Sequence, residues 1–327
     1  MFKLGVYRAD QYGKASKFGA WLRKNRVSYQ LLRTSAQPSP AEIARFERLS
    51  QQILMPSGVF RMTRPDRFRE LEQFLNRVLE RHFRQRALDI HDWAASDCST
   101  SAAWYQVLVK EFPQAALTAS DLNLYLMEAR LPDGGTYVLD SNGAPLQYIR
   151  PPFVIRISPP EPKFLIGNRL LQQRAEARLA RLRERGELNV AGIEFNGDEE
   201  VRRPPYVFRK IPLVHPLAAA LDRSSPSFRI QRHSVFEPLS KPADVIRTMN
   251  ILNVSYFDSA RLTAAAPNVW QSLKPAGLWI VGRSITEDPP LHHASILRRS
   301  ARGFEPLERY EEKSEIEDLA LALRVTH

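Results

Sequence analysis

The residues best placed to do chemistry lie between Ala87 and Asp121. The run Ala87-Leu-Asp-Ile-His-Asp-Trp-Ala-Ala-Ser-Asp-Cys-Ser-Thr-Ser101 reads as a buried strand, a loop of small residues and the start of a helix. Asp121 closes the next strand-like run, ahead of Leu122. An α/β sheet holds a nucleoside with this order of parts. The tight loop lets backbone approach the ligand, and the acid accepts from the ribose hydroxyls. The usual glycines are absent, so Ala94, Ala95, Ser96 and Ser99 supply the close approach, with Asp97 and Thr100 beside them. Asn250, Asn253 and Tyr256 follow a fourth strand-like run, at the edge where open sheets bind ligands. His233 and Ser234 end the third. His292-His293 has no acid or cysteine at ligand spacing, so no metal site is expected. Cys98, the single cysteine, reads as a small packing residue.

Elements that would position these residues follow from periodicity. Residues 1–86 read as mainly helical. Ser39 and Pro40 form a helix start, and Phe68, Leu71, Phe74, Leu75 and Leu79 fall on one stripe. Strands are expected at 87–93, 115–121, 227–234, 242–249, 278–284, 294–299 and 303–310. Helices are expected at 101–111, 122–130, 258–274 and near 314–323. Strands alternating with helices indicate a parallel sheet covered on both faces. Residues 87–327 then form one α/β domain. The segment 131–226 is too long for a connection and is expected to be an inserted subdomain. Within it, Asn142-Gly143 marks a hairpin turn, and Arg169 to Glu187 an arginine-rich helix that could dock an acidic partner, although its glutamates favour a solvated face.

The chain has 327 residues and a formal charge of +11. That balance favours an acidic partner, whether nucleic acid, an acidic protein or an anionic membrane face, with a solubilising surface charge as the alternative. No local signature supports nucleic acid, and the acceptor is expected to be an acidic protein or a small molecule. No apolar run is long enough to cross a bilayer, and Met1-Phe-Lys-Leu-Gly-Val-Tyr-Arg8 lacks a signal peptide's core. A cytoplasmic location is expected.

Several segments together resemble the chemotaxis-receptor glutamate methyltransferases, within the class I S-adenosylmethionine-dependent methyltransferases. Ser57-Gly-Val-Phe-Arg61 is similar to that family's Thr-x-Phe-Phe-Arg, and Cys98-Ser-Thr-Ser-Ala-Ala-Trp-Tyr105 to Cys-Ser-Thr-Gly-Glu-Glu-Pro-Tyr. Thr118-Ala-Ser-Asp-Leu-Asn123 resembles Ala-Thr-Asp-Ile-Asp. Ala243 to Phe257 resembles Phe-Asp-Leu-Ile-x-x-Arg-Asn-Val-Leu-Ile-Tyr-Phe, and Leu273 to Gly282 resembles Leu-x-Pro-Gly-Gly-Leu-Leu-x-x-Gly. The resemblance covers 55–130 and 227–310. It implies a Rossmann-like sheet with helices on both faces, the cofactor S-adenosyl-L-methionine, and O-methyl transfer to a carboxylate or other oxygen. The alternative is a cofactor-binding module without transfer. It implies cofactor contacts from Ser57, Arg61, the 94–100 loop, Asp121, Leu122 and either Asn250 or Asn253. Arg61 and Tyr256 would serve the acceptor. Ser101 stands in place of the family's loop glycine, and Ala102 and Ala103 in place of two glutamates. Asp92 or Asp97 is then expected to meet the cofactor's ammonium group.

Overall fold

The computed structural model describes residues 27–51, 53, 63–83, 87–150, 153–158, 160, 163–190, 192–195, 199–287 and 289–325. Its strands are β1 (Asp89–Trp93), β2 (Ala116–Asp121), β3 (Tyr125–Arg130), β4 (Thr136–Leu139), β5 (Pro145–Arg150), β6 (Phe153–Arg156), β7 (Glu200–Arg203), β8 (Tyr206–Pro212), β9 (Phe228–Arg232), β10 (Ala243–Met249), β11 (Leu273–Glu287), β12 (Pro290–Ser300) and β13 (Gly303–Tyr310). Its helices are α1 (Pro40–Ser50), α2 (Arg69–Phe83), α3 (Ser99–Glu111), α4 (Ile166–Glu184), α5 (Pro216–Ser224), α6 (Ser259–Ser272) and α7 (Glu317–Leu321).

The chain forms two compact units. One joins Met1–Met62 to Asn123–Leu213; the other joins Thr63–Leu122 to Val214–His327. The divisions expected from sequence fell at 86, 130 and 226 instead. Helix α2 lies in the second unit, because its stripe of Leu71, Leu75, Val78 and Leu79 is buried there. The segment expected as a helix at 122–130 is strand β3. It pairs antiparallel with β4 and β8, and the ladders satisfy its backbone where both of its faces are covered.

The first unit is a six-stranded antiparallel sheet, in the order β6-β5-β4-β3-β8-β7. One face packs on Tyr29, Leu32, Phe46 and Leu49; the other packs on Ala175 and Leu179 of α4. The expected hairpin joins β4 to β5. There Asp140 accepts from Asn142 and Ala144, and Gly143 supplies the positive φ. Helix α1 starts at a capping box between Ser39 and Glu42.

The second unit carries a seven-stranded sheet, in the order β13-β12-β11-β10-β1-β2-β9. All seven of its strands lie where the sequence places them. Strands β11, β10, β1, β2 and β9 run parallel, and β12 and β13 close the edge as an antiparallel meander. The five parallel strands are joined through crossovers that put helices on both faces, an α/β architecture. Leu262, Ala265, Ala266 and Val269 of α6 pack over Ile246, Trp279 and Val281.

Alternation along β10 sends Arg247 to the face opposite Ile246. There Arg247 is fully buried. Its Nε and one terminal nitrogen donate to the Asp92 carboxylate at 2.9 and 2.5 Å, and the other donates to Glu72 at 2.8 Å. Its guanidinium lies 4.2 Å from the ring centroid of Trp104 in α3. One cation therefore ties β10 to β1, α2 and α3. Asp92↔Arg247 is also a register pair, so the ion pair and the ladder specify the same alignment. Buried ion pairs add little net stability, but removing one partner strands the other charge.

Burial is the largest effect on Glu72. It raises the carboxyl pKa from 4.5 to about 7, against the pull of Arg247 and with help from Asp92. Between those values the folded chain holds a proton that the unfolded chain has released. This contribution to stability is therefore lost as pH rises from 4.5 to 7. Burial lowers the pKa of His91 and of His233, which acts in the opposite sense, so the two effects must be separated by a difference. Urea midpoints measured at pH 5 and 7.5 should fall more in the parent than in Glu72→Gln; equal changes would contradict the assignment. Asp92→Ala should cost roughly 3–5 kcal/mol in the same assay.

Candidate functional site

The loop between β1 and α3 carries three non-glycine residues with left-handed backbone at every second position: Ala94 at φ 56°, Ser96 at 57° and Cys98 at 63°. Each such residue costs roughly 1–2 kcal/mol when it bears a Cβ. This is a glycine spacing written in alanine, serine and cysteine. It explains why no glycine motif is visible in the sequence while the backbone still makes the turn.

Hydrogen bonds hold the loop from four sides. Ala95 N–H donates to Ser120 O at 2.8 Å, and Ser96 N–H donates to one carboxylate oxygen of Asp121 at 2.9 Å. His215 N–H donates to Asp97 O at 2.8 Å. The Asp97 carboxylate accepts from the Ser99 N–H and hydroxyl at 2.9 and 2.7 Å, so it caps the first turn of α3. Thr100 is buried in that turn. Leu122 exposes its side chain and accepts at its carbonyl from Arg232.

Asp92 and Asp97 were expected to meet the cofactor's ammonium group. Both are buried and already bonded: Asp92 to Arg247 and to the Ser101 hydroxyl at 2.5 Å, Asp97 to Ser99. Ser101 thus serves as a further donor to the ion pair.

Three buried polar atoms around this loop have no hydrogen-bond partner among the described residues: Trp93 Nε1, Ser96 Oγ and His233 Nε2. The Trp93 and His233 rings lie 4.7 Å apart, and His91, on the same face of β1 as Trp93, interacts electrostatically with His233. Burial keeps both histidines below the ordinary imidazole pKa, hence neutral at pH 7. Buried donors in native proteins are nearly always paired, so this group calls for a polar ligand or water. His233 was singled out from sequence; Trp93 was not, because an indole in a strand reads as core.

At the carboxyl end of β10 the two asparagines separate in role. Asn253 is spent inside its own loop: its amide donates to Asn250 O at 2.9 Å and accepts from Ser255 N–H at 3.0 Å. Asn250 directly follows the strand with φ 64°, and its Oδ1 accepts from Ser284 N–H at 2.6 Å. His292 Nδ1 lies 3.1 Å from Ser284 Oγ, and His292 Nε2 lies 2.8 Å from Arg67 O. A carbonyl can only accept, so Nε2 carries the proton and the serine hydroxyl donates to Nδ1. Ser284 and His292 support Asn250 from strands too distant in sequence to be found by spacing. Tyr256 exposes 43% of its surface beyond Asn253. Ser57 and Arg61 lie outside the described residues.

No protein-family model and no curated protein matches the chain. Solved structures do. The sugar N-methyltransferase KedS8 of Streptoalloteichus is 12% identical, with 77% of this chain and 75% of that chain covered and a TM-score of 0.31. The methyltransferase domain of the citrinin polyketide synthase is 12% identical over 77% and 41%, at 0.32. The CurJ carbon methyltransferase is 11% identical over 79% and 38%, at 0.31. The chain thus spans less than half the length of the latter two. Overlaps this small carry no inference about chemistry, which rests on the chain's own geometry.

If left-handed backbone is the cost of this loop, glycine should relieve it. Ala94→Gly and Ser96→Gly should each raise stability by about 0.5–1 kcal/mol, read as an increase in thermal midpoint. A fall in both would show that the loop is not held left-handed.

Proposed function

We propose that the second unit binds S-adenosylmethionine at the carboxyl edge of its parallel sheet and transfers the methyl group to an oxygen acceptor. The observation that carries this reading is the left-handed loop opening α3, bonded to the acid that ends the neighbouring strand. The nucleoside half of the cofactor suits the site. Asp121 would take the ribose hydroxyls, and the small side chains of the loop would let the sugar approach the backbone closely. Trp93 Nε1 is a buried donor that an adenine nitrogen could satisfy, and His233 Nε2 is a second buried polar atom beside it. The amino-acid half suits it less well, because both loop carboxylates are committed within the protein.

When bound, the cofactor supplies a methyl carbon activated by a sulfonium. The chain's part is to orient and to exclude water. Asn250, fixed by Ser284, and Tyr256 lie at the strand edge where an acceptor would be aligned. A carboxylate acceptor is ionised at neutral pH, so no strong general base is required. A second reading, nucleoside binding without transfer, is favoured by one observation: Asp92 is neutralised by Arg247 rather than turned toward a ligand.

Titration calorimetry decides the cofactor. S-adenosylmethionine and S-adenosylhomocysteine should both bind, and Asp121→Ala should weaken both at least about tenfold, the loss expected of a charged hydrogen bond. Absence of heat from either at millimolar concentration would sink the proposal. Release of S-adenosylhomocysteine in the presence of carboxylate-bearing peptides and small acids then separates transfer from binding alone.

A further inference from the structure

The net charge of +11 is not spread over the molecule. The unit formed by 1–62 and 123–213 holds 25 lysines and arginines against 14 aspartates and glutamates, whereas the other unit holds 22 against 22. The whole excess belongs to the unit that lacks the candidate cofactor loop. Its most distinctive element is α4. The first half of this helix is turned inside out. Asn168 and Gln172 are each only 6% exposed, while Ile166 and Leu170 are 66% and 52% exposed. Gln172 is satisfied inside, donating to Ile157 O and to Glu176 at 2.9 Å. The helix therefore docks on its own sheet through polar residues here and through Ala175 and Leu179 further on. Its larger apolar side chains are left facing out.

Ile166, Leu170, Gln173 and Ala177 follow helical spacing along that outer face. Phe164, 70% exposed, precedes the helix. Phe153, also exposed, stands on the edge strand β6 that packs against α4. Arginines border the stripe, but not all are available. Arg178 is held by Asp133 and Tyr148, and Arg183 by Gly143 O. Arg169 and Arg174, on either side of Leu170, have no protein partner among the described residues. An apolar centre rimmed by unpaired arginine is the composition of a protein interface.

We infer that the outer face of α4 is a docking surface for an acidic, apolar-faced helix of another protein. Complementary charge selects the sign of the partner, and the exposed isoleucine and leucine select an apolar ridge. A second copy of the same face would set like charges together. A nucleic-acid strand would leave Ile166 and Leu170 uncovered. The inference is independent of methyl transfer and is measured separately from cofactor binding.

The test is fluorescence anisotropy of the full chain with a labelled synthetic helix of about 20 residues, long enough to span α4. Its leucines are spaced three and four apart and its other positions are glutamate-rich. Controls are the same peptide with lysine for glutamate and a single-stranded RNA. The glutamate peptide should bind with Kd on the order of tens of micromolar, and the lysine peptide should not bind. Ile166→Ser/Leu170→Ser and Arg169→Glu/Arg174→Glu should each weaken binding at least about tenfold while leaving the thermal midpoint of the parent, since the changed side chains face solvent. Failure of the glutamate peptide to bind overturns the inference. So does RNA that displaces the peptide and still binds Ile166→Ser/Leu170→Ser.

Discussion

The fully buried guanidinium of Arg247 is the constraint on which the larger sheet depends. Its charge is met by Asp92 from the adjacent strand, by Glu72 from α2 and by the face of Trp104 in α3. A cation held this far from water is tolerable only if it is paired and hydrogen-bonded. The requirement fixes the position of β1 against β10, and with it the point at which the chain leaves β1 and enters the left-handed loop. The ion pair also decides what the loop can offer. Asp92 is occupied by its bidentate partner, and Ser101 adds a third donor to it. The acid that remains at the edge is Asp121, which braces the loop through Ser96 N–H.

Much of the sheet was legible in the sequence because its strands are short apolar runs separated by amphipathic helices. The seven strands of the second unit, the α6 helix and the β4–β5 hairpin all follow from local pattern and turn chemistry. The 122–130 segment did not, because an apolar run without glycine or proline fits helix and strand equally until its neighbours are known. Its neighbours, β4 and β8, lie outside the run itself. The same distance in sequence hid the unit boundaries. Tyr29 donates its backbone N–H to Gln147, 118 residues away, and no periodicity reports such a bond.

The elements around the candidate site were legible, but the bonding of its carboxylates was not. Strand, small loop, helix and terminal acid were found from residue types alone. The expectation that Asp92 or Asp97 is open to a ligand failed, because it treated carboxylates near a loop as available. Arg247 lies 155 residues from Asp92 and was read only as part of a strand. The left-handed residues were likewise invisible, since alanine, serine and cysteine do not announce positive φ as glycine does. The edge proposed to bind a nucleoside is thus formed by backbone geometry, while its nearest carboxylate is taken up by an internal ion pair.

The most direct test of that account is a crystal structure with S-adenosylhomocysteine. The nucleoside should lie over the 94–98 loop, with its ribose hydroxyls on Asp121, an adenine nitrogen against Trp93 or His233, and the Arg247–Asp92 pair unbroken. A nucleoside bound elsewhere, or an Asp92 released from Arg247 to meet the amino-acid tail, would contradict it.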